Sequence, residues 1–349
     1  MINPTEFHKI VSGERRDLRA MLWRGLFRLA EIPYGVVVGH RNRRYDTGKS
    51  EIHRVDVPVI SVGNLTTGGT GKTPMVAWLA RWLRENNVRV SLISRGYGAE
   101  KGSVNDEALE LEQKLPDVPH LQNPDRVEAA QTAIEELETQ IIVLDDAFQH
   151  RRIHRDLDIV LIDALEPFGY GHLLPRGLLR EPVASLARAD VVALSRSDMV
   201  DQSRREEIRT EVRRHAPNTI WIELAHQPAR LVSSSGGVEA IDSLQGKSVA
   251  AFCGIGNPVG FRHTLESSGF EVKELKEFPD HHRYDRKDIE QLIAWGNDLD
   301  EISALVCTHK DLVKVSVDQL GQRPLWALEI GMEVLTGREQ LEEMLVSLC

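Results

Sequence analysis

From residue 57 onward, short unbroken apolar runs alternate with segments whose apolar residues recur every three or four positions. VPVISVGN, VRVSLIS, QIIVLDDAF, LDIVLIDAL and ADVVALS are of the first kind. The last three are continuous rather than alternating, as strands of a parallel sheet covered on both faces should be. TPMVAWLARWLREN is of the second kind, with Val76, Leu79, Ala80 and Leu83 on one face. NPDRVEAAQTAIEELE predicts another helix, with Asn123 as its cap and Pro124 at the first helical position. Strand and helix repeated in this way predict an α/β fold with a doubly wound, mostly parallel sheet. The Ser- and Gly-rich stretch LVSSSGGVEAIDSLQGK (231–247) breaks the rhythm. Alternation then resumes through KSVAAFCGIGNP, FEVKELKEF and ALVCTHKDL to a final helix. The expected organisation is an N-terminal segment (1–54), a principal core (55–232) and a smaller α/β lobe (233–349) whose last helix packs back on the core.

The N-terminal segment changes the picture through its charge. The chain carries a net charge of -10, yet residues 1–54 hold 11 Lys/Arg against 6 Asp/Glu. An acidic body argues against general nucleic-acid binding. Within the basic segment, Leu18, Leu22, Leu26 and Leu29 recur at helical spacing with Trp23 and Phe27 beside them, and Arg15, Arg16, Arg19, Arg24 and Arg28 cover much of the remainder. Periodicity alone favours a domain-packing helix with a solvated basic face. A basic amphipathic helix with aromatics is also what lies in the headgroup layer of an anionic membrane. No apolar run approaches the about 18 residues of a membrane span, and the three widely spaced cysteines suit a reducing compartment, so a cytoplasmic protein is expected.

Between the first strand and the first helix of the core stands NLTTGGTGKTP. It departs from the strict phosphate-loop pattern, because Thr66 occupies the place of the outer glycine. Gly68 and Gly69 are expected to supply the positive-φ positions instead. Backbone amides of Gly68, Gly69, Thr70 and Gly71 then turn toward phosphate oxygens, Lys72 reaches the terminal phosphates, and Thr73 offers a hydroxyl to Mg²⁺. Such a loop needs a carboxylate at the end of a neighbouring buried strand. IIVLDD supplies Asp145 and Asp146, followed closely by Gln149 and His150. Asp163, at the end of IVLID, reads instead as a strand-end turn. The expectation narrows to a P-loop NTPase-like core binding nucleotide phosphates and Mg²⁺.

SRSD (195–198) and THKD (308–311) mimic a base-reading signature without matching it. FPDHHRY (278–284) invites a metal reading, but a phosphate-loop core favours an acid–base or orienting histidine there.

In order along the chain, VGNLTTGGTGKTP, SRGYG, VNDEALEL, NPDR, DDAFQHRR, LLPRGLLREP, FCGIGNP, FPDHHRY and THKDLVK make this sequence resemble the tetraacyldisaccharide 4′-kinases, which phosphorylate the lipid A precursor. The resemblance runs from about residue 14 to about residue 330 and implies an ATP- and Mg²⁺-dependent kinase with a phosphate-loop core and a smaller lobe. It implies Asp106 as the base that accepts the sugar hydroxyl proton and His281 as its partner, with His282 as the neighbouring alternative. Asp145, Asp146 and Glu181 match residues around Mg²⁺, and Arg180, Gln149 and His150 lie in matching active-site segments. The acceptor would be an acylated glucosamine disaccharide 1-phosphate, met at the cytoplasmic face of the bacterial inner membrane by a peripheral protein through its basic N-terminal helix. Asn105, Ala147, Arg176 and His309 depart from the family pattern. Of these, the Cβ of Ala147 is expected to matter most, beside the carboxylates.

Overall fold

The computed structural model describes residues 4–96, 106–279, 282–299 and 301–349. In chain order its elements are α1 (Pro4–Val11), α2 (Leu18–Asp46), β1 (Val59–Asn64), α3 (Lys72–Glu85), β2 (Val90–Ser94), α4 (Asp106–Lys114), β3 (His120–Gln122), α5 (Arg126–Leu137), β4 (Ile141–Asp145) and β5 (Leu157–Asp163). There follow β6 (Val191–Ser195), α6 (Gln202–His215), β7 (Ile220–Val232), β8 (Val238–Glu239), β9 (Ser248–Cys253), α7 (Pro258–Ser267), β10 (Glu271–Glu277), α8 (Arg286–Asp298), β11 (Ala304–Thr308), α9 (His309–Val315), β12 (Gln319–Leu320), β13 (Arg323–Thr336) and α10 (Arg338–Leu348).

The chain forms two compact units. The first comprises the residues up to Gly96, Asp117–Ala225 and Met332–Cys349; the second takes in α4 and His226–Gly331. The division therefore falls within β7, ahead of the Ser/Gly-rich stretch, and again within β13.

In the first unit the strand order is β7-β6-β5-β1-β4-β2-β3, with every neighbouring pair parallel. β1 thus lies between β5 and β4, and the chain leaves it at the point where strand order reverses, where α/β sheets bind ligands. All six residues of β1 and all five of β4 are buried. By register, Val59, Ile93, Ile142 and Leu144 and, across β1, Val160, Ile162, Val192 and Leu194 all point to one face of this sheet, where they form two clusters, while Ile60, Val62, Val143 and Ile159, equally buried, point to the other. Val76, Leu79, Ala80 and Leu83 of α3 are all fully buried, as their spacing predicts.

The second unit orders its strands β10-β9-β11-β13, again in parallel. Alternate residues serve opposite faces: Ala250, Phe252, Leu305 and Cys307 join one core, while Val249, Ala251, Cys253, Ala304 and Val306 join the other.

Two helix expectations are corrected. α5 begins at Arg126, and its cap is Asp125, whose carboxylate accepts from the amides of Val127 and Glu128. Asn123 instead accepts from the amide of Asp125 one turn earlier, so Pro124 precedes the helix. In α2 the leucine stripe is not a packing face. Leu18, Leu22, Leu26 and Leu29 are 79%, 75%, 53% and 67% exposed, and Ile32 and Val36 continue the open stripe. The buried residues of α2 are Ala20, Val38 and Asn42.

Candidate active site

The loop after β1 takes its shape from three sets of tethers. Thr66 makes an antiparallel bridge with Leu179, the Thr67 amide donates to the Leu178 carbonyl at 2.8 Å, and the Arg180 amide donates to the Leu65 carbonyl at 2.7 Å. Thr66 is thus an extended, paired residue, and an outer glycine has nothing to do there. From inside, Asn64 Nδ2 donates to Thr70 Oγ1 at 2.9 Å, and Gln149 Nε2 donates to the Asn64 carbonyl at 2.8 Å. The left-handed positions are Gly68 (φ 122) and Gly71 (φ 87), so Gly71 rather than Gly69 takes the second of them, as the cap of α3. Gly63 has a separate reason to lack a side chain: a Cβ there would stand 2.5 Å from Phe148 Cβ and 2.7 Å from the Phe148 backbone nitrogen. That close approach lets the turn after β4 seat directly against β1.

Lys72 and Thr73 open α3, where unpaired amides and the helix dipole favour an anion. Asp145 ends β4 next to β1, with Val62 opposite it in register, and is buried. Asp146 follows in a left-handed conformation (φ 50). Its carboxylate lies 3.6 Å from Lys72 Nζ, and Arg180 Nη1 donates to both its oxygens at 2.8 and 2.9 Å. Burial pushes the Asp146 pKa up, but the charges of Lys72 and Arg180 and their hydrogen bonds outweigh it and leave it lowered. The carboxylate is therefore ionised at neutral pH. Hard oxygen donors at Thr73, Asp145 and Asp146, beside a loop that offers phosphate oxygens a seat, suit Mg²⁺, which uses one or two carboxylates and leaves the rest to phosphate and water.

Ala147 is accommodated without strain. The positive φ falls on Asp146, and the Ala147 methyl is buried in the core with Val59, Ile93 and Ile153. His150 is held neutral: burial, then the nearby charges of Arg126 and Arg155, lower its pKa to about 4.

Glu181 lies elsewhere in the hydrogen-bond scheme. It is fully buried, and its two oxygens accept from Arg41 Nη2 of α2 and Arg188 Nη2, each at 2.6 Å. Its carboxylate is thus shared between an α2 arginine and Arg188. The neighbouring Arg180 carbonyl accepts from the Tyr34 hydroxyl of α2 at 3.0 Å.

Asp106 is the first residue of α4; its side chain, together with Asn105 and His281, lies outside the described residues. His282 is described, and it is engaged. Its Nε2 lies 2.8 Å from Asp288, and its ring stacks on Phe278 at 4.8 Å between centroids. THKD proves to be the cap and first turn of α9: Asp311 is fully buried and accepts from the Gly254 amide, Thr308 Oγ1 and the Tyr284 hydroxyl. Arg176, a departure from the family pattern, donates to the Val11 carbonyl at 3.2 Å and so ties down the end of α1.

Three residues near the site were missed in the sequence. Asn64 and Arg196 both bond to the loop, and Arg126 is a buried arginine on which Asp145 and Asp146 act. A polar residue closing a fully buried strand was the available signal for Asn64. For Arg126 it was a basic residue at the first, dipole-disfavoured position of a helix.

The family model for tetraacyldisaccharide-1-P 4′-kinase matches residues 23–349. The chain belongs to that family. A tetraacyldisaccharide 4′-kinase of Anaeromyxobacter dehalogenans is 38% identical over 91% of this chain and 88% of its own, and one of Syntrophus aciditrophicus is 37% identical over 88% and 89%. A crystal structure of LpxK from Aquifex aeolicus in complex with ATP is 30% identical, with a TM-score of 0.75 over 93% of this chain and 99% of that one. The match begins at residue 23, so α1 and the first turn of α2 precede it.

Proposed function

We propose that this family member transfers the γ-phosphate of ATP to the 4′-hydroxyl of a tetraacyldisaccharide 1-phosphate, the lipid A precursor. The observation that carries the reading is the phosphate loop at the switch point, with Lys72 and Thr73 at the head of α3 and Asp145 and Asp146 on the adjoining strand end. In the reaction the 4′-oxygen bonds to the γ-phosphorus, the bond to the β–γ bridging oxygen breaks, and ADP leaves. Mg²⁺, which Thr73 and Asp145 would hold, would supply neutralisation of the phosphate charge during transfer.

The chain's own residues do the remainder. Amides of the loop and Lys72 fix the phosphates, and Thr73 with Asp145 fits the cation. Asp146, now shared between Lys72 and Arg180, can release either cation toward an incoming phosphate while keeping the other. Asp106 is the proposed base for the 4′-hydroxyl proton, with His281 as its partner. The engagement of His282 by Asp288 supports His281 over its neighbour. Gln149, which donates to the Asn64 carbonyl below the loop, and neutral His150 serve the nucleotide side of the site.

The acceptor's acyl chains reside in a membrane, and the open stripe of α2 is suited to meet it at the cytoplasmic face. Seven apolar residues from Leu18 to Val36 are each more than half exposed, whereas no helix among the described residues is long and apolar enough to cross a membrane. Transfer from γ-labelled ATP to the tetraacyldisaccharide 1-phosphate in detergent tests the reading. Wild type should label the glycolipid, and Asp106→Ala should lose roughly 10²–10⁴-fold in rate with near-normal ATP affinity. His281→Ala should follow Asp106→Ala, and His282→Ala should not. ATP binding without labelled glycolipid would overturn the assignment.

A further inference from the structure

The exposed tip of the phosphate loop, Gly68–Gly69, has open space where either Cβ would stand. The Arg196 side chain reaches it. Arg196 follows β6 directly, and its Nη2 donates to the Gly69 carbonyl at 2.8 Å and to the Asp163 carboxylate at the end of β5. The residue is held in a left-handed conformation (φ 55, ψ 34), which a non-glycine residue adopts only at a cost. Asp163 is mostly buried; burial raises its pKa, and the Arg196 charge opposes that rise. The pair does not belong to the β6–α6 connection alone, since its outward partner is the loop.

We propose that Arg196 is a positioning residue for nucleotide binding, anchored by Asp163, that sets the orientation of the Gly69–Thr70 peptide in the phosphate loop. The peptide is planar and trans, so its carbonyl and its amide point in opposite directions. Holding the Gly69 carbonyl toward Arg196 fixes the Thr70 amide on the other side. That amide now donates to the Gly68 carbonyl at 3.1 Å, an acceptor that a phosphate oxygen can replace. Asn64 fixes the Thr70 side chain from within, so the two contacts together define the residue that begins the GKT turn. A loop so held binds phosphate without first ordering itself, and the gain appears as affinity.

The proposal rests on the ATP-binding reading of this loop. It is tested by titrating Mg·ATP and Mg·ADP into wild type, Arg196→Asn, Asp163→Asn and the double variant, with ligand-free thermal unfolding and glycolipid KM measured alongside. Asn tolerates left-handed backbone but cannot reach Gly69 and leaves the Asp163 carboxylate unpaired, so Arg196→Asn should lose some stability, whereas the double variant, which orphans no charge, should unfold near the wild-type temperature. Arg196→Asn should bind both nucleotides roughly tenfold more weakly, the loss of one charge-assisted hydrogen bond, while glycolipid KM stays unchanged. Asp163→Asn should give a smaller loss, and the double variant should bind no more weakly than Arg196→Asn, because the two act through one contact. Nucleotide affinity within twofold of wild type in Arg196→Asn overturns the proposal, as do losses in ATP affinity, glycolipid KM and stability that fall in step. Should Arg196→Asn fail to fold, unchanged affinity in Asp163→Asn overturns it independently. Wild type that binds no ATP would instead refute the nucleotide reading itself.

Discussion

Glu181 separates a structural carboxylate from a metal ligand more sharply than any other residue of the site. It is fully buried and carries two charge-assisted hydrogen bonds of 2.6 Å. Truncation to alanine leaves both guanidinium partners. Arg41, 43% exposed, can turn to water, so its share is small. Arg188, 17% exposed, cannot; burial already lowers its pKa, and Glu181 is the main charge opposing that. Breaking a buried pair by removing one partner costs about 3–5 kcal/mol. At about 2–4 °C per kcal/mol for a unit of this size, the unfolding midpoint of Glu181→Ala should fall by roughly 6–20 °C. The assay is thermal unfolding without Mg²⁺, paired with an Mg²⁺ titration of kinase activity. Replacing both partners, Glu181→Met with Arg188→Leu, should restore much of the lost midpoint, because no buried charge is then orphaned. A midpoint within about 2 °C of wild type, together with a tenfold rise in the Mg²⁺ requirement, would show that Glu181 serves the metal and refute this account.

Other perturbations have outcomes fixed by the same geometry. Gly63→Ala places a methyl 2.5 Å from Phe148 Cβ and 2.7 Å from its backbone nitrogen, so the turn bearing Asp145 and Asp146 must shift. A loss of about 1–3 kcal/mol by denaturant unfolding, with weaker ATP binding, is expected, and wild-type behaviour would mean that β1 yields more easily than its burial suggests. His309 is buried, and its pKa is lowered to about 4 by burial and then by Lys114, from an ordinary 6.5. Above pH 6.5 both folded and unfolded states hold it neutral; as pH falls toward 4 only the unfolded state gains the proton, so stability declines. His309→Gln should flatten that decline by up to about 3 kcal/mol in urea melts between pH 7 and 4; identical slopes would count against it. Leu22→Asp with Leu29→Asp alters side chains that are 75% and 67% exposed, so folding should be untouched while co-sedimentation with anionic vesicles is lost. Retained sedimentation would move the membrane contact off α2.

How far the sequence disclosed this molecule depended on whether a residue's role was local. β1, β4, β5 and β6 were legible because a parallel strand buried on both faces has no choice but an unbroken apolar run, and the phosphate loop because strand, glycines, lysine and helix adjoin one another. The cap of α5 was misplaced by two residues because Asn123 and Asp125 are both competent caps, and only backbone geometry decides between them. The long strands β7 and β13 carried no recognisable signal: Ile220–Val232 mixes buried and half-exposed positions and contains Pro228, so neither alternation nor a continuous run survives. Residues acting across long sequence separations were harder still. Arg196 meets Gly69 127 positions away and Arg41 meets Glu181 140 positions away, and no spacing rule reaches that far. The same separation explains why motif matching is a better guide to which segments converge than to what each side chain does there. Glu181 follows Arg180 by one residue, yet Arg180 turns to Asp146 and the phosphate loop while Glu181 turns to α2 and Arg188. A segment that passes between two elements divides its side chains between them. The LLREP segment therefore links the open apolar helix to the phosphate loop through adjacent residues of one backbone, and a substitution at either residue should be read for its effect on both.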